Sequence, residues 1–219
     1  MPTPSEGYRI DGKRVPSVTT IIGRFKESGA LLRWAWNEGR EGRDLYAARD
    51  KAADIGTAAH AMVEASIKGL DPEGCGQLQA LDADGQSRAR NAFQAYQQWA
   101  SMCRLEIVEQ EIQLISMQHG FGGTPDAIGR VNGELCLVDW KTSNSVYSDY
   151  LLQLAAYRQL WEESYPNLRL TGGFHLCRFS KDFGDFAHHY YSELDGAWQM
   201  FLHLRYAYEY DKELRKRAA

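Results

Sequence analysis

Alternation of hydrophobic and polar residues in the middle of the chain predicts a series of β-strands. Residues 107–116 (IVEQEIQLIS) set apolar side chains such as Val108 and Leu114 against glutamates and glutamines. The segment 134–141 (ELCLVDWK) is apolar along most of its length, as in a strand that is buried on both faces. The strands predicted after residue 100 lie at 107–116, 122–131, 134–141, 170–179 and 185–194.

Other segments show the spacing of amphipathic helices. Residues 30–42 (ALLRWAWNEGREG) place Leu32 and Trp36 at helical spacing before glycines interrupt the pattern. Residues 52–68 predict a strong helix that Gly69 ends. A loop is expected at DPEGCG, and the remaining predicted helices lie at 84–102, 150–163 and 196–217.

The N-terminal region predicts a β-hairpin with an Asp11-Gly12 turn, followed by a Ser/Thr-capped short helix. The later elements follow the order helix, three antiparallel strands, helix, strand. This order predicts an α/β fold with a mixed sheet flanked by helices. We expect one domain over residues 1–219, with an N-terminal annex (1–50), a core (52–190) and a C-terminal helix (196–217).

A tight hairpin brings two aspartates to one place. Asn132-Gly133 lies between two strand-like segments and is a strong signal for a two-residue hairpin loop. With that loop, Asp126 and Asp139 are cross-strand partners in a non-hydrogen-bonded pair, where side chains approach most closely. A bulge would shift this register.

Two carboxylates about 5 Å apart repel each other by about 3 kcal/mol at an effective dielectric of about 20. Lys141 lies on the same face as Asp139 and offsets part of this repulsion. One interpretation is an ion-pair cluster of Asp126, Asp139 and Lys141. The other is a divalent-cation site, because carboxylate oxygens are hard ligands.

These residues resemble the motifs of the PD-(D/E)xK nuclease superfamily, and within it the RecB-like exonucleases. The segment PSVTTII is similar to the N-terminal segment of phage and mitochondrial single-strand exonucleases of that branch. The resemblance implies a restriction-endonuclease-like αβββαβ core. Its motifs are GTAAH (Gly56 to His60), GTPD with Asp126, DWK with Asp139 and Lys141, and QLAAY (Gln153 to Tyr157).

The resemblance also implies roles for these residues. Asp126, Asp139, His60 and the backbone carbonyl of Trp140 would bind Mg²⁺ or Mn²⁺. Lys141 would stabilise charge on the phosphate or help to activate the attacking water. Gln153 and Tyr157 share a helix face and would orient the lysine, the water or the backbone of the nucleic acid. Glu111 completes the catalytic set.

Each assignment has a structural alternative. The position of His60 is also compatible with a helix histidine in the core or at the surface, and that of Glu111 with a solvated residue on a strand. Gln153 and Tyr157 are also compatible with ordinary helix packing. Positively charged side chains are mixed with aromatic rings, as in proteins that bind single-stranded DNA, at Arg33, Trp34, Trp36, Arg40 and Arg43. Tryptophans at helical spacing are more often part of the core.

Composition adds limited constraints. The net charge is −4, and residues 1–49 carry nine Lys/Arg against six Asp/Glu. The four cysteines are scattered without a CxxC, which argues against an iron–sulfur cluster and suits a reducing cytoplasm. The sequence contains no P-loop, so we expect no nucleotide cofactor. We expect no membrane association, because there is no spanning apolar stretch and no signal-peptide pattern.

The sequence therefore predicts a metal-dependent DNA exonuclease that acts on ends or single strands. Phage or prophage recombination or DNA processing suits the resemblance, with a strand-annealing recombination protein as a partner. The alternatives are a structure-specific endonuclease and a non-catalytic DNA-binding module on a degenerate nuclease fold. Polarity of cleavage and oligomeric state leave no mark in the sequence.

Overall fold

The computed structural model describes residues 7–26, 29–143 and 145–218, without the side chains of Ala30 and Leu31. It begins with the predicted hairpin, β1 (Tyr8–Ile10) and β2 (Lys13–Val15). Both turn residues, Asp11 and Gly12, have positive φ. This is the geometry of a type I′ turn, whose twist matches that of the two strands.

Two helices follow the hairpin. The Ser17 hydroxyl accepts a hydrogen bond from the Thr20 amide and caps α1 (Val18–Phe25). The second helix, α2 (Gly29–Arg40), lies over the segment predicted from the spacing of Leu32 and Trp36. The parts of the predicted annex at 1–6 and 27–28 lie outside the described residues.

The next helix is longer than predicted. It was expected over 52–68, but α3 spans Leu45–Ile67. The Asp44 carboxylate accepts hydrogen bonds from the amides of Tyr46 and Ala47, which provides an earlier start than hydrophobic spacing shows. The loop predicted at DPEGCG contains a helical turn at Pro72–Gly74, and the short helix α4 (Gly76–Gln79), which was not predicted, follows it before α5 (Ala83–Met102).

Two predicted strands are each divided in the structure. The segment 107–116 forms β3 (Glu106–Gln110) and β4 (Leu114–Ser116), because Glu111 has a φ of 52° and leaves the strand conformation. The segment 122–131 forms β5 (Phe121–Gly123) and β6 (Ala127–Val131). The halves β4 and β5 pair with each other in a separate two-stranded sheet.

The main sheet has the strand order β3-β6-β7-β8-β9. The pair β7–β8 is parallel and the other neighbours are antiparallel. The connection between β7 and β8 contains a helix, as a parallel pair requires. The elements are β7 (Glu134–Lys141), α6 (Ser148–Ser164), β8 (Phe174–Phe179), β9 (Phe186–Tyr191) and α7 (Asp195–Ala218).

Helices cover both faces of this sheet. Alternate residues of β7 lie in two different cores: Leu135 and Leu137 pack with α1, α6 and α7, whereas Cys136, Val138 and Trp140 pack with α3 and α5. The predicted α/β class with a mixed sheet flanked by helices is confirmed. No helix in the described ranges is long and apolar enough to cross a membrane. The division into annex, core and C-terminal helix stays a prediction.

Candidate active site

The register of the central hairpin brings Asp126 and Asp139 to neighbouring positions. The pairs run from Val131 with Glu134 to Ala127 with Val138, without a bulge, as the two-residue loop predicts. Asp126 and Asp139 are the next positions along, and both are fully buried. The amide of Trp140 donates to Oδ2 of Asp126 at 2.8 Å, so this carboxylate is fixed against the end of β7.

Lys141 neutralises part of this buried charge. Its Nζ lies 2.6 Å from Oδ2 of Asp139 and 5.1 Å from the ring centroid of Tyr150. Burial lowers the pKa of Lys141, but the negative charges of Asp139 and Asp126 outweigh burial and hold the pKa above its ordinary value. The lysine is therefore a cation at neutral pH.

The acidic groups titrate abnormally because they are buried together. Burial raises the pKa of Asp139 to about 7, with a further upward contribution from Asp126 that Lys141 opposes. The pKa of Asp126 is also raised by burial. When both carboxyls are ionised, they carry more negative charge than one lysine balances, which favours binding of a further cation.

Glu111 is the third acidic residue of the site. Its left-handed backbone conformation ends β3, and its amide donates to the backbone carbonyl of Asp126 at 3.2 Å. Burial raises the pKa of Glu111 to about 7, and the charges of Asp126 and Glu64 raise it further. The alternative of a solvated strand position does not describe this partly buried residue.

His60 reaches the site from α3. Its Nδ1 lies 3.8 Å from Oδ1 of Asp126, and its side chain is 23% exposed. Burial, and next the charge of Lys141, lower the pKa of His60 to about 3, so the imidazole is neutral and has a free lone pair. Four residues earlier on the same helix, Gly56 faces Thr142 so closely that a Cβ would lie 2.9 Å from its Oγ1.

These residues fit a divalent cation. One ring nitrogen of His60 and one carboxylate oxygen each from Glu111 and Asp126 lie within 4.8 Å of one another. Ligand atoms about 2.0–2.6 Å from a single ion are within about 5 Å of each other, so this spacing is compatible with one site. Among the described residues, Nδ1 of His60, Oδ1 of Asp126 and Oδ1 of Asp139 are buried without a hydrogen-bond partner.

This grouping differs in one respect from the set expected from the sequence. Glu111 belongs to the compact group, whereas Asp139 is held by Lys141 beside it. Trp140 contributes its amide to Asp126, and a ligand role for its carbonyl stays a prediction.

The helix after β7 places the glutamine and tyrosine of the QLAAY segment beside the acidic pair. Nε2 of Gln153 donates to the hydroxyl of Tyr157 at 2.8 Å. Burial raises the pKa of Tyr157 well above its ordinary value, and the next cause is the charge of Asp139. The ring of Tyr157 also lies against Gly123, three residues before Asp126, which places it beside the acidic segment.

Sequence reasoning missed the contribution of the N-terminal hairpin. The hydroxyl of Tyr8 lies 2.7 Å from Oγ1 of Thr124, two residues before Asp126. A Cβ at Gly122 would lie 2.2 Å from the Tyr8 ring, and one at Gly123 would lie 2.6 Å from Tyr157. The adjacent glycines were the available signal, because glycine in a strand often marks a close approach of another group.

The basic and aromatic residues expected to contact single-stranded DNA, on α2 and just after it, separate into two groups. Trp36 is 62% exposed, and the guanidinium of Arg40 lies 4.9 Å from the centroid of its ring. Arg33 is also exposed and lies on the same helix face, three residues before Trp36. Arg43 instead forms two hydrogen bonds with Glu38, at 2.6 and 2.8 Å, so its charge is already paired.

Comparison with known proteins identifies the class. The family model of the PD-(D/E)XK nuclease superfamily matches residues 30–216, so the chain belongs to this family. Pro125-Asp126 and Asp139-Trp140-Lys141 have the same pattern of residue types as the family name, PD and (D/E)XK. The chain is therefore a nuclease of a superfamily that hydrolyses phosphodiester bonds of nucleic acids with divalent metals.

Two further comparisons add no assignment. No curated protein matches the sequence. A solved structure named "Putative exonuclease", from Eubacterium rectale, is similar with a TM-score of 0.42 and 11% identity, over 90% of this chain and 76% of the other.

Proposed function

We propose that this nuclease is a metal-dependent DNA exonuclease that hydrolyses phosphodiester bonds at DNA ends or in single strands. The observation that carries the proposal is the convergence of His60, Glu111, Asp126, Asp139 and Lys141 at one end of the sheet. Buried acceptors without partners and a charged lysine beside them suit a negatively charged substrate bound together with a cation.

His60, Glu111 and Asp126 would hold the ion, with Asp139 adjacent. A histidine among the ligands favours Mn²⁺ somewhat over Mg²⁺. When bound, the ion would supply Lewis-acid stabilisation of charge on the phosphate and a more acidic water.

Lys141 remains protonated and would contribute a fixed positive charge to the non-bridging oxygens of the scissile phosphate. Asp139 keeps that ammonium in place through the 2.6 Å ion pair. Gln153 and Tyr157, joined by their hydrogen bond, would orient groups around Asp139. These are positioning roles, since they act through another side chain.

The exposed face of α2 formed by Arg33, Trp36 and Arg40 is the proposed contact with a single strand. An aromatic ring between two cations matches bases that stack and phosphates that follow each other along the strand. Arg43, in contrast, would support this helix through Glu38. Membership of the RecB-like branch, the recombination setting, the strand-annealing partner and the cytoplasmic location remain predictions from the sequence.

The test is digestion of three DNA substrates: an end-labelled single strand, its duplex and a covalently closed circle. Each is incubated with Mn²⁺, with Mg²⁺ or with EDTA. We expect loss of the linear substrates with either metal and intact circles. Asp139→Asn should abolish digestion, whereas Asp185→Asn, an exposed loop aspartate, should leave it unchanged.

Other outcomes would redirect the proposal. Cut circles would identify an endonuclease. Digestion in EDTA would contradict the metal requirement. No digestion of any substrate, with retained DNA binding, would leave a non-catalytic module as the better account. An RNA strand of the same sequence, tested in parallel, decides whether the enzyme prefers DNA.

A further inference from the structure

A cavity of about 350 Å³ lies between the N-terminal hairpin, the start of α1 and the last helix. The polar groups that line it include Arg14 from β2, Ser17 and Thr20 from α1, and Lys212 from α7. None of the catalytic or metal-binding residues discussed above lines this cavity. It is therefore a separate feature of the molecule, and its chemistry can be considered by itself.

The charge of the cavity is positive. Arg14 and Lys212 both line it, and the residues that line it include no aspartate or glutamate. Neither cation has an ion-pair partner among the described residues, although the protein as a whole is acidic. The nearby acid Asp211 on α7 is paired with Arg24 and Arg215. A cavity with two unpaired cations and hydroxyl groups suits an anion with several acceptor oxygens.

The cavity is joined to the active site through Tyr8. This residue lines the cavity, and its hydroxyl contacts Thr124, two residues before Asp126. A second link runs through Pro16, whose carbonyl accepts a hydrogen bond from the amide of Gly122. The loop that leads to Asp126 therefore contacts two of the residues that line the cavity, Tyr8 and Pro16.

We propose that this cavity, lined by Arg14 and Lys212, binds a phosphate group of the nucleic-acid substrate other than the one that is cleaved. The proposal rests on the proposed function for the identity of the strand. The bound group is a phosphomonoester at a strand end or a phosphodiester within the strand, since both present the same oxygens to the two cations.

The experiment measures binding with catalysis switched off. Fluorescence anisotropy in EDTA gives the Kd of the full chain for a labelled single strand over a series of salt concentrations. The double variant Arg14→Ala/Lys212→Ala should weaken binding roughly tenfold and reduce the salt slope by about 0.7, the contribution of one phosphate of a single strand.

The matched control removes the same charge elsewhere. Lys13 precedes Arg14 in β2 and therefore points to the other side of the hairpin. Arg217 is an exposed cation further along α7. Lys13→Ala/Arg217→Ala should change the Kd less than twofold. Equal effects of the two double variants would overturn the proposal, as would a wild-type protein that binds no strand at any salt concentration.

Three strands distinguish the two sources of phosphate: one with a terminal phosphate, the same strand with terminal hydroxyls, and a single-stranded circle. If Arg14→Ala/Lys212→Ala loses affinity only for the strand with a terminal phosphate, the cavity is a site for a phosphorylated end. If the variant loses affinity equally for all three strands, the cavity is a site for an internal phosphodiester. The separate digestion assay keeps the two proposals apart, because unchanged binding with normal digestion overturns only the cavity site.

Discussion

Gly56 on α3 and Thr142 just after β7 approach so closely that a Cβ at position 56 would lie 2.9 Å from Oγ1 of Thr142. This contact fixes how near the helix lies to the end of the strand that carries Asp139 and Lys141. His60 lies one turn further along α3 on the same face. The glycine therefore controls the distance between the imidazole and the carboxylates of the site.

Gly56→Ala should weaken metal binding without unfolding the protein. Alanine favours a helix over glycine by roughly 1 kcal/mol, which offsets the cost of a small shift of Thr142 or of α3. We expect the Kd for Mn²⁺, measured by calorimetry, to rise about three- to tenfold, with the thermal midpoint within a few degrees of the wild type.

A second substitution tests the cause of this effect. Thr142→Ala removes the oxygen that the new methyl group meets, so Gly56→Ala/Thr142→Ala should recover most of the metal affinity. Additive losses in the double variant would show that the contact does not position His60.

The hairpin of the site was predictable because its information is local. Asn132-Gly133 fixes a two-residue turn, and a two-residue turn fixes the register that aligns Asp126 with Asp139. The positive φ of Glu111 was not predictable in this way, because a single left-handed residue leaves no trace in hydrophobic periodicity. As a result, the sequence predicted one long strand where the structure has two, although it did place Glu111 in the catalytic set.

Non-local contacts were also beyond the sequence. Tyr8 and Thr124 are 116 positions apart, and neither residue type indicates the other. Only the adjacent glycines at 122 and 123 hinted that side chains approach the backbone there. The start of α3 at Leu45 was missed because the Asp44 cap, not apolar spacing, determines it.

Tyr8→Phe should slow the reaction more than it weakens substrate binding. It removes the hydroxyl that lies 2.7 Å from Oγ1 of Thr124 and leaves a buried hydroxyl without its partner, at a cost of about 1 kcal/mol of stability. Because this loop leads into Asp126, we expect kcat to fall several-fold with little change in KM. Steady-state kinetics on a single strand measure both values.

The same loss of kcat should follow from Thr124→Val, and the double variant should be no worse than either single one. If Tyr8→Phe lowered the thermal midpoint but left kcat unchanged, the hairpin would be a structural support only.

Arg40 and Arg43 should respond differently to the same substitution. Arg43→Ala leaves the carboxylate of Glu38 without its bidentate partner, so we expect a lower thermal midpoint. Arg40→Ala removes an exposed cation whose contact in the described structure is the Trp36 ring, so we expect an unchanged midpoint and roughly threefold weaker binding of a single strand. Differential scanning fluorimetry and anisotropy test the two expectations, and a reversed pattern would contradict the assignment of α2.

The raised pKa of Asp139 predicts how stability depends on pH without metal. The folded protein holds this proton up to a pH of about 7, whereas the unfolded chain releases it near 3.8. The folded state therefore binds more protons between these values, and stability falls as the pH rises through that window, by at most about 4 kcal/mol from this group. In EDTA, the wild type should thus lose more stability between pH 5 and pH 8 than Asp139→Asn does.

Metal should reverse this trend, because its ligands must be deprotonated. Mn²⁺ stabilises only the folded protein, so it should raise the thermal midpoint more at pH 8 than at pH 5. Asp126→Asn should lose most of this gain, whereas Glu106→Gln, an exposed carboxylate at the start of β3, should keep it. A wild-type midpoint that Mn²⁺ does not raise at pH 8 would show that His60, Glu111 and Asp126 do not form a metal site.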